Sequence, residues 1–266
     1  MLRSMYSGIS GLKNFQTKLD VIGNNIANVN TYGFKKGRVI FKDLMSQTVA
    51  GASAPGGDLG GTNAKQIGLG ASLSAIDTMH EKGSTQTTNR TLDVVINGDG
   101  YLAFSDGANK YYTRAGNLYL DKDGILVAPD GKKLLDSSGA TFPGVPPEAT
   151  QLTIGQDGTV TYILPGSDAP QVLGQMGVTR FSNPEGLTKS GGNYFTVSNN
   201  SGTPKDDQVP GATGNGTIES GFLEMSNVDL SEEFTEMIVA QRGFQANSRI
   251  ITTSDEILQE LVNLKR

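Results

Sequence analysis

The sequence contains no cysteine and no tryptophan, and its only histidine is His80. The absence of thiols excludes disulfides, cysteine-bound zinc and thiol nucleophiles, and a single imidazole excludes any site that needs two. The formal net charge is −5, so the chain offers no general positive field that would hold phosphate backbones. We therefore expect no metal, no cofactor and no nucleic-acid partner.

Long apolar runs are also missing. No stretch of 18 apolar residues occurs, and the segment from Met1 to Gly8 lacks the uninterrupted apolar core of a secretory signal peptide. These observations predict neither membrane insertion nor a cleaved signal peptide. Taken alone, they indicate a cytoplasmic protein.

Glycine, in contrast, is abundant, with 35 of 266 residues. Helical periodicity occurs at both ends of the chain, and alternating patterns typical of strands lie between them. The sequence predicts an α+β fold: N- and C-terminal helices pair as a coiled-coil-like unit, and the middle forms a mainly antiparallel β domain. We divide the chain into an N-terminal helix (1–30), a glycine-rich linker or extended segment (31–75), a central β domain (76–229) and a C-terminal helix (230–266).

Each predicted helix has recognisable limits. The first is expected to end near Asn28, because the asparagines and the glycine that follow can adopt left-handed conformations. The second is expected to begin with Ser231 as its N-cap, followed by two acidic residues in the first turn. The stretch from Ser46 to Ser72 contains many glycines and few large apolar residues, which predicts a loop or linker.

Both helices carry one apolar row with a spacing of seven residues and a second row that is mostly polar, which is half of a coiled-coil seam. A single such helix is usually an ordinary amphipathic helix packed on its own domain. Two matching helices favour another interpretation, in which the ends stay labile in the monomer and become ordered when neighbouring copies cover them. The predicted self-assembly interface consists of Met5, Ile9, Leu12, Leu19, Ile26, Met237, Phe244, Ile251 and Leu258.

The middle of the chain repeats the pattern apolar-x-apolar-x-x-Asp-Gly three times, ending at Gly100, Gly124 and Gly158. Because Asp-Gly favours the positive φ of tight hairpin turns, the pattern predicts three β-hairpins.

Catalytic patterns are weak by comparison. The G-x-G-x-x-A sequence from Gly98 is followed by residues that break a helix, and we find neither a phosphate-binding loop nor a nucleophile elbow. We therefore predict that the protein is not an enzyme.

Three motifs of the chain are long enough to be specific. The first runs from Ser7 to Lys35 and includes Gly-Asn-Asn-Ile-Ala-Asn-Val-Asn-Thr-Tyr-Gly-Phe-Lys; the second is Tyr-Thr-Arg-Ala-Gly-Asn from Tyr112; and the third combines residues 226–230 with residues 238–242. Together these motifs resemble one known family, the bacterial flagellar rod and hook proteins. The family's usual Gly-Phe-Phe before the β domain is Gly-Tyr-Leu here, beginning at Gly100. The positions carried over as family signature are Asn24, Asn25, Asn28, Gly33, Phe34, Asn227, Gln241 and Arg242.

The resemblance implies a structural subunit that is exported without a cleaved signal by the flagellar type III apparatus. Its location would be the extracellular hook or basal body, with the terminal helices forming an inner tube. Implied partners are further copies of the chain, distal rod and hook–filament junction proteins, and the hook cap during assembly. Residues 257–266 and 237–242 resemble hook proteins, and the resemblance therefore predicts a short hook protein of the Gram-positive type, which transmits motor torque as a universal joint. The length of the chain and residues 41–48 and 66–70 resemble the alternative, a rigid distal rod protein.

Overall fold

The computed structural model describes residues 2–56, 60–149, 151–166, 169–205, 209–212 and 214–264. The chain divides into two compact units. The first consists of Met1–Ala27, Gly37–Thr78 and Asp229–Arg266, and the second of Asn28–Lys36 and Met79–Val228. The α+β prediction is confirmed, since long helices lie at both ends of the chain and the strand pairs between them are antiparallel.

The first unit contains both helices and four strands. Its elements are α1 (Leu2–Ala27), β1 (Gly37–Asp43), β2 (Ser46–Ala50), β3 (Lys65–Gly68), β4 (Ala71–Thr78) and α2 (Leu230–Leu264). Strand β1 pairs with β4, and β2 pairs with β3. Helix α1 packs on the first of these pairs, where the rings of Phe15 and Phe41 lie 6.5 Å apart.

The stretch from Ser46 to Ser72 differs from the predicted loop or linker, because β2, β3 and the start of β4 lie within it. Every residue of β2 and β3 is exposed, so the pair buries no apolar face. Backbone hydrogen bonds between the two strands need no particular side chain. The residues therefore form strands without the apolar alternation by which strands are recognised in a sequence.

Helix α1 ends three residues before residue 30, the limit of its predicted segment, and α2 begins two residues before the position that Ser231 as its cap would give. The last residue of α1 is Ala27, next to Asn28, near which its end is expected, and the first residue of α2 is Leu230. The backbone N–H groups of Ser231 and Glu232 donate to Asp229 Oδ1 over 2.8 and 3.4 Å. Asp229 is therefore the N-cap, and Ser231, the predicted cap, is already inside the helix.

The second unit is built from fifteen short strands among its described residues. They are β5 (Thr85–Thr87), β6 (Val94–Asn97), β7 (Tyr101–Ser105), β8 (Lys110–Thr113), β9 (Tyr119–Leu120), β10 (Leu126–Val127), β11 (Lys133–Leu134), β12 (Gln151–Ile154), β13 (Thr159–Ile163), β14 (Gln171–Gln175), β15 (Val178–Thr179), β16 (Thr188–Gly191), β17 (Tyr194–Thr196), β18 (Thr217–Ser220) and β19 (Phe222–Glu224). The largest sheet has the order β16-β17-β8-β7-β11-β10-β9, with β15 also paired to β7. Its core includes Leu102, Phe104, Leu118 and Ile218, all fully buried.

Two of the three predicted Asp-Gly hairpins form. Gly124 and Gly158 have φ of 74° and 77° and join β9 to β10 and β12 to β13. The first prediction is wrong, because β6 pairs with β18 whereas β7 pairs with β8, β11 and β15. Gly100 has another role there: a Cβ at this position would collide with Val178 on β15. A close approach between strands requires this glycine, not a hairpin turn.

Candidate self-assembly surface on the terminal helices

Helices α1 and α2 pack against each other in an antiparallel pair. Near the start of α1, Gly8 lies beside Ile251, and near its end the Asn25 side chain donates to Glu233 Oε2 over 3.2 Å. The two helices therefore run in opposite directions. The pairing of the terminal helices, which the heptad rows predict, is confirmed.

Glycines allow the two helices to approach closely. A Cβ on Gly243 would lie 2.5 Å from the ring of Phe15, and one on Gly11 would lie 2.8 Å from the Asn247 amide. Real side chains cannot be placed at such distances without movement. The sequence analysis missed this role, although glycines inside an otherwise helical pattern are the signal that could have indicated it.

Most residues of the predicted interface are half-buried in the structure. Ile9 and Phe244 are the exceptions, with 50% and 37% of their surfaces exposed. The half-buried ones are Met5, Leu12, Leu19, Ile26, Met237, Ile251 and Leu258. These nine residues remain a predicted interface between copies, with part of their surface already covered.

A second set of apolar side chains on the same helices is largely exposed. In α2 it occupies the first three turns and the last two, and in α1 it lies near the start. The set consists of Tyr6, Phe234, Ile238, Val239, Leu261, Val262 and Leu264. We call it the outer apolar set. A single chain leaves these side chains in water, which is unfavourable unless something covers them.

Asn25, a predicted signature residue, ties three elements of the first unit together. Its side chain is buried and forms hydrogen bonds with both backbone groups of Gly37, the first residue of β1, as well as with Glu233 in the first turn of α2. Asn24, the neighbouring signature residue, is exposed, as are Gln241 and Arg242 on α2. Of these four signature residues, Asn25 is the one that is buried and connects elements of the first unit.

The other signature residues organise the second unit. Gly33 has φ of +68°, and its N–H donates to Glu224 O over 2.8 Å. The Asn227 side chain accepts from Lys36 N over 2.8 Å and donates to Met79 O over 2.9 Å. Phe34 is buried, and Asn28 O accepts from Thr31 N in the turn after α1. These residues hold the chain where it enters and leaves the second unit.

A buried ionic cluster in the second unit was not predicted. Glu224 accepts from Lys35 Nζ over 2.5 Å and from Arg114 Nη1 over 3.4 Å, and all three side chains are buried. Burial lowers the pKa of Lys35, while the Glu224 carboxylate opposes that shift. Lys35 and Arg114 lie in the recognised motifs, but Glu224 is 189 residues from Lys35 and 110 residues from Arg114 along the chain. No local pattern in the sequence therefore indicates that the three side chains meet.

The described residues provide no group of three or more acidic or histidine side chains that could hold a metal ion. Over the same ranges, neither helix has an apolar stretch suited to crossing a bilayer. His80 is half-buried, its Nδ1 lies 2.6 Å from Tyr101 Oη, and burial lowers its pKa to about 4.

Comparisons with known families match three separate parts of the chain. Three family profiles match it: "Flagella basal body rod protein" over residues 5–35, "Flagellar hook protein FlgE/F/G D1 domain" over residues 95–162, and "Flagellar basal body rod FlgEFG protein C-terminal" over residues 219–264. Together they include the helix pair and a large part of the β region.

Some of the similar proteins are named as flagellar rod proteins and others as flagellar hook proteins. The chain is 61% identical to the flagellar basal-body rod protein FlgG of Bacillus subtilis over 266 residues, and 39% identical to FlgG of Borreliella burgdorferi over 275 residues. It is also 31% identical to the flagellar hook protein FlgE of Borreliella burgdorferi over 442 aligned positions. In each of these three alignments, all of both chains is covered.

Proposed function

We propose that this chain, which belongs to the family of flagellar basal-body rod and hook proteins, is a structural subunit of the distal rod. The observation that carries the proposal is its length-matched similarity to the Bacillus subtilis rod protein, which is 61% identical over 266 residues with both chains fully covered. The comparisons thus support the alternative, a rod protein, better than the hook protein that the last residues of the sequence favour.

The alignment with the hook relative supports the same choice. It spans 442 positions, and since this chain has 266 residues, 442 − 266 = 176 positions of that alignment have no counterpart here. The rod relative of Bacillus subtilis needs no such extension. A chain without the additional segments is suited to the shorter rod architecture.

The proposed mechanism is mechanical. The outer apolar set and the nine predicted interface residues lie on the two terminal helices, and contacts with neighbouring copies would remove them from water. Contacts between different faces of identical subunits do not have to close into a ring, so they generate a helical filament. Such a filament, with the helices packed at the inside, would act as a rigid drive shaft.

The pair β2–β3 supports a rod in a second way. The segments that resemble distal rod proteins, residues 41–48 and 66–70, include parts of both strands. Every residue of the two strands is exposed, including Val49 and Ile67. An isolated two-stranded pair is marginally stable in water. We infer that neighbouring copies cover this pair in the assembled rod and stiffen it.

The remaining parts of the proposal concern chemistry and location. We infer that the protein has no enzymatic activity, that it leaves the cell through the flagellar type III apparatus without a cleaved signal, and that it works in the basal body. Its proposed partners are further copies of itself, the axial proteins on either side and the export apparatus. The named rod and hook relatives support this class of function.

Electron microscopy of basal bodies tests the choice between rod and hook. The gene is deleted in the bacterium that carries it, basal bodies are isolated, and the length of each rod is measured. Truncated rods without hooks are expected. Complete rods that lack only the hook would overturn the distal rod proposal and favour the hook. A strain with the gene restored is the control, since it must recover complete rods and hooks.

A further inference from the structure

A cavity of about 180 Å³ lies within the second unit. The residues that matter for its chemistry are His80, Asp99, Tyr101, Arg114, Arg180 and Ser182. A water molecule needs far less space than this. The cavity is therefore large enough to hold a small polyatomic group, and the polar side chains around it determine which group fits.

The hydrogen bond between His80 and Tyr101 sets the polarity of one wall. Burial raises the pKa of Tyr101 and lowers that of His80, so at neutral pH the phenol keeps its proton and the imidazole is uncharged. His80 Nδ1 is the acceptor that the structure offers to the phenol, at 2.6 Å. With Nδ1 accepting, the ring hydrogen is on Nε2, and this buried N–H has no acceptor among the described residues.

Arg114 adds a second donor without a partner. It is 4% exposed, and its Nη atoms donate to Glu224, to Ile96 O and to Gly98 O. Its buried Nε has no acceptor in the part of the chain that the structure describes. Both residues line the cavity, but the two N–H groups themselves are almost fully enclosed. Because buried polar groups are almost always hydrogen-bonded, two orphaned donors leave an uncompensated positive potential next to the cavity.

The charges around the cavity favour a negative group. Lys35, Lys189 and Arg114 all act on His80 in the direction that disfavours its protonated form. Glu224, the buried carboxylate nearby, is already engaged with Lys35 and Arg114. The residues that line the cavity include two cationic ones, Arg114 and Arg180, and one anionic one, Asp99. Arg180 and Ser182 are exposed, so they lie where a group from solvent can reach them. The wall thus has an excess of positive charge and of hydrogen-bond donors.

We propose that this cavity binds a small oxyanion or carboxylate group, with the guanidinium of Arg180 as its main charged contact and the Ser182 hydroxyl as a further donor. A planar guanidinium matches the geometry of such groups. The group could come from a free anion such as sulfate, or from an aspartate or glutamate of a second copy in the assembled rod. The second source rests on the proposed function, whereas the first does not.

Nuclear magnetic resonance of His80 tests the proposal, because a single histidine gives one unambiguous imidazole signal. The dilute full-length protein is titrated with sodium sulfate at constant ionic strength, and the pH titration of His80 is recorded with and without sulfate. We expect a saturable shift of the signal and a rise in the pKa of His80 of about one unit, since an opposite charge near the ring favours the imidazolium. A signal that shows no saturable response overturns the proposal.

Two variants separate specific binding from general charge effects. Arg180→Gln removes the proposed contact, and we expect sulfate to bind at least about tenfold more weakly. Lys122→Gln removes one positive charge from an exposed turn of the same unit, and we expect no change. Equal sulfate affinities in the two variants would contradict the assignment of Arg180.

The source of the group is identified in assembled polymer that has been washed free of inorganic anions. Solid-state spectra that place the His80 signal at its sulfate-bound position assign the ligand to a carboxylate of a second copy. A signal at the free position, which moves when sulfate is added, assigns it to a free anion. If the polymer does not form but the dilute protein still binds sulfate, the rod proposal fails and the anion site stands.

Discussion

The side chain of Asn25 and the backbone of Gly37 form a reciprocal pair of hydrogen bonds. Asn25 Nδ2 donates to Gly37 O over 2.9 Å, and Gly37 N donates to Asn25 Oδ1 over the same distance. The same Nδ2 donates to Glu233 Oε2. One amide thus joins the end of α1 to the start of β1 and of α2, where an asparagine supplies both a donor and an acceptor.

Asn25→Asp should destabilise the first unit severely. The new carboxylate oxygen would face Gly37 O and the Glu233 carboxylate, which are both acceptors, at a site that is 2% exposed. An uncompensated buried charge typically costs about 3–5 kcal/mol. Urea unfolding measures the loss, and hydrogen exchange should show reduced protection of the Gly37 amide. Gln16→Glu, which adds the same charge to an exposed position of α1, is the control. Equal losses in both variants would contradict the role of Asn25.

Ile238→Asp should block polymerisation without unfolding the single chain. Ile238 is 59% exposed, so the substitution should change the monomer's stability by no more than about 0.5 kcal/mol. Burying the charge between copies would cost several kcal/mol, and the critical concentration for assembly should rise at least about tenfold. Sedimentation measures this concentration.

Val172→Asp is the matched control for that experiment. This substitution introduces the same charge in place of an aliphatic side chain that is 66% exposed. Val172 lies in β14, outside the terminal helices. We expect a smaller effect on assembly than Ile238→Asp produces. An unchanged critical concentration in the Ile238 variant would argue against the outer apolar set as an interface.

The terminal helices were predictable because their signals are local. A row with a spacing of seven residues, an asparagine at the end of α1 and acidic residues at the start of α2 are all readable within a few turns. The second row of buried residues could not be predicted in this way. The mostly polar row of α2 consists of Gln241, Ser248 and Asp255, which are all exposed. The structure instead buries Ala240 and Ser254, on the other side of the apolar row. Periodicity identifies the apolar row of a helix. Which side of that row becomes buried depends on how the partner helix packs against it.

The β region shows the same limit on prediction. Hairpins at Gly124 and Gly158 follow from the turn residues and the alternation around them. The partner of β6 is β18, more than 100 residues away, and Lys35 lies 189 residues from Glu224. Pairings between residues so far apart depend on the packing of the whole unit. They cannot be predicted from the amino acids next to either partner.

Gly33→Ala should destabilise the second unit by more than its backbone conformation alone explains. Gly33 has φ of +68°, and a Cβ there would lie 2.5 Å from Ala115 N, a backbone atom that cannot swing away. We expect a loss of about 2–4 kcal/mol from the left-handed conformation and the collision together. Tyrosine fluorescence during urea unfolding measures it, since the chain has no tryptophan.

Gly131→Ala separates the two causes. Gly131 has φ of +84°, but open space surrounds its Cβ position. This variant should lose only the conformational part, about 1 kcal/mol. If Gly33→Ala costs no more than Gly131→Ala, close contact with Ala115 is not what requires the glycine.

His80→Gln should remove part of the acid sensitivity of the second unit. The pKa of His80 is about 4 in the folded protein and 6.5 in its ordinary state. Between these values the unfolded chain binds the additional proton, so the stability of the folded state falls as the pH decreases from about 6.5 to about 4. The full effect of this one group is up to about 3 kcal/mol. Above about pH 7.5 both states are neutral, and the contribution does not change with pH.

Urea unfolding of the wild type and of His80→Gln at several pH values tests this sign. The glutamine can still accept from the Tyr101 hydroxyl, and the carboxylates that titrate in the same range cancel in the difference between the two proteins. We expect the difference in unfolding free energy to shift in favour of the variant as the pH falls from about 7 to 4 and to stay constant above about pH 7.5. Parallel curves over the acidic range would mean that His80 does not titrate differently in the folded and unfolded chain.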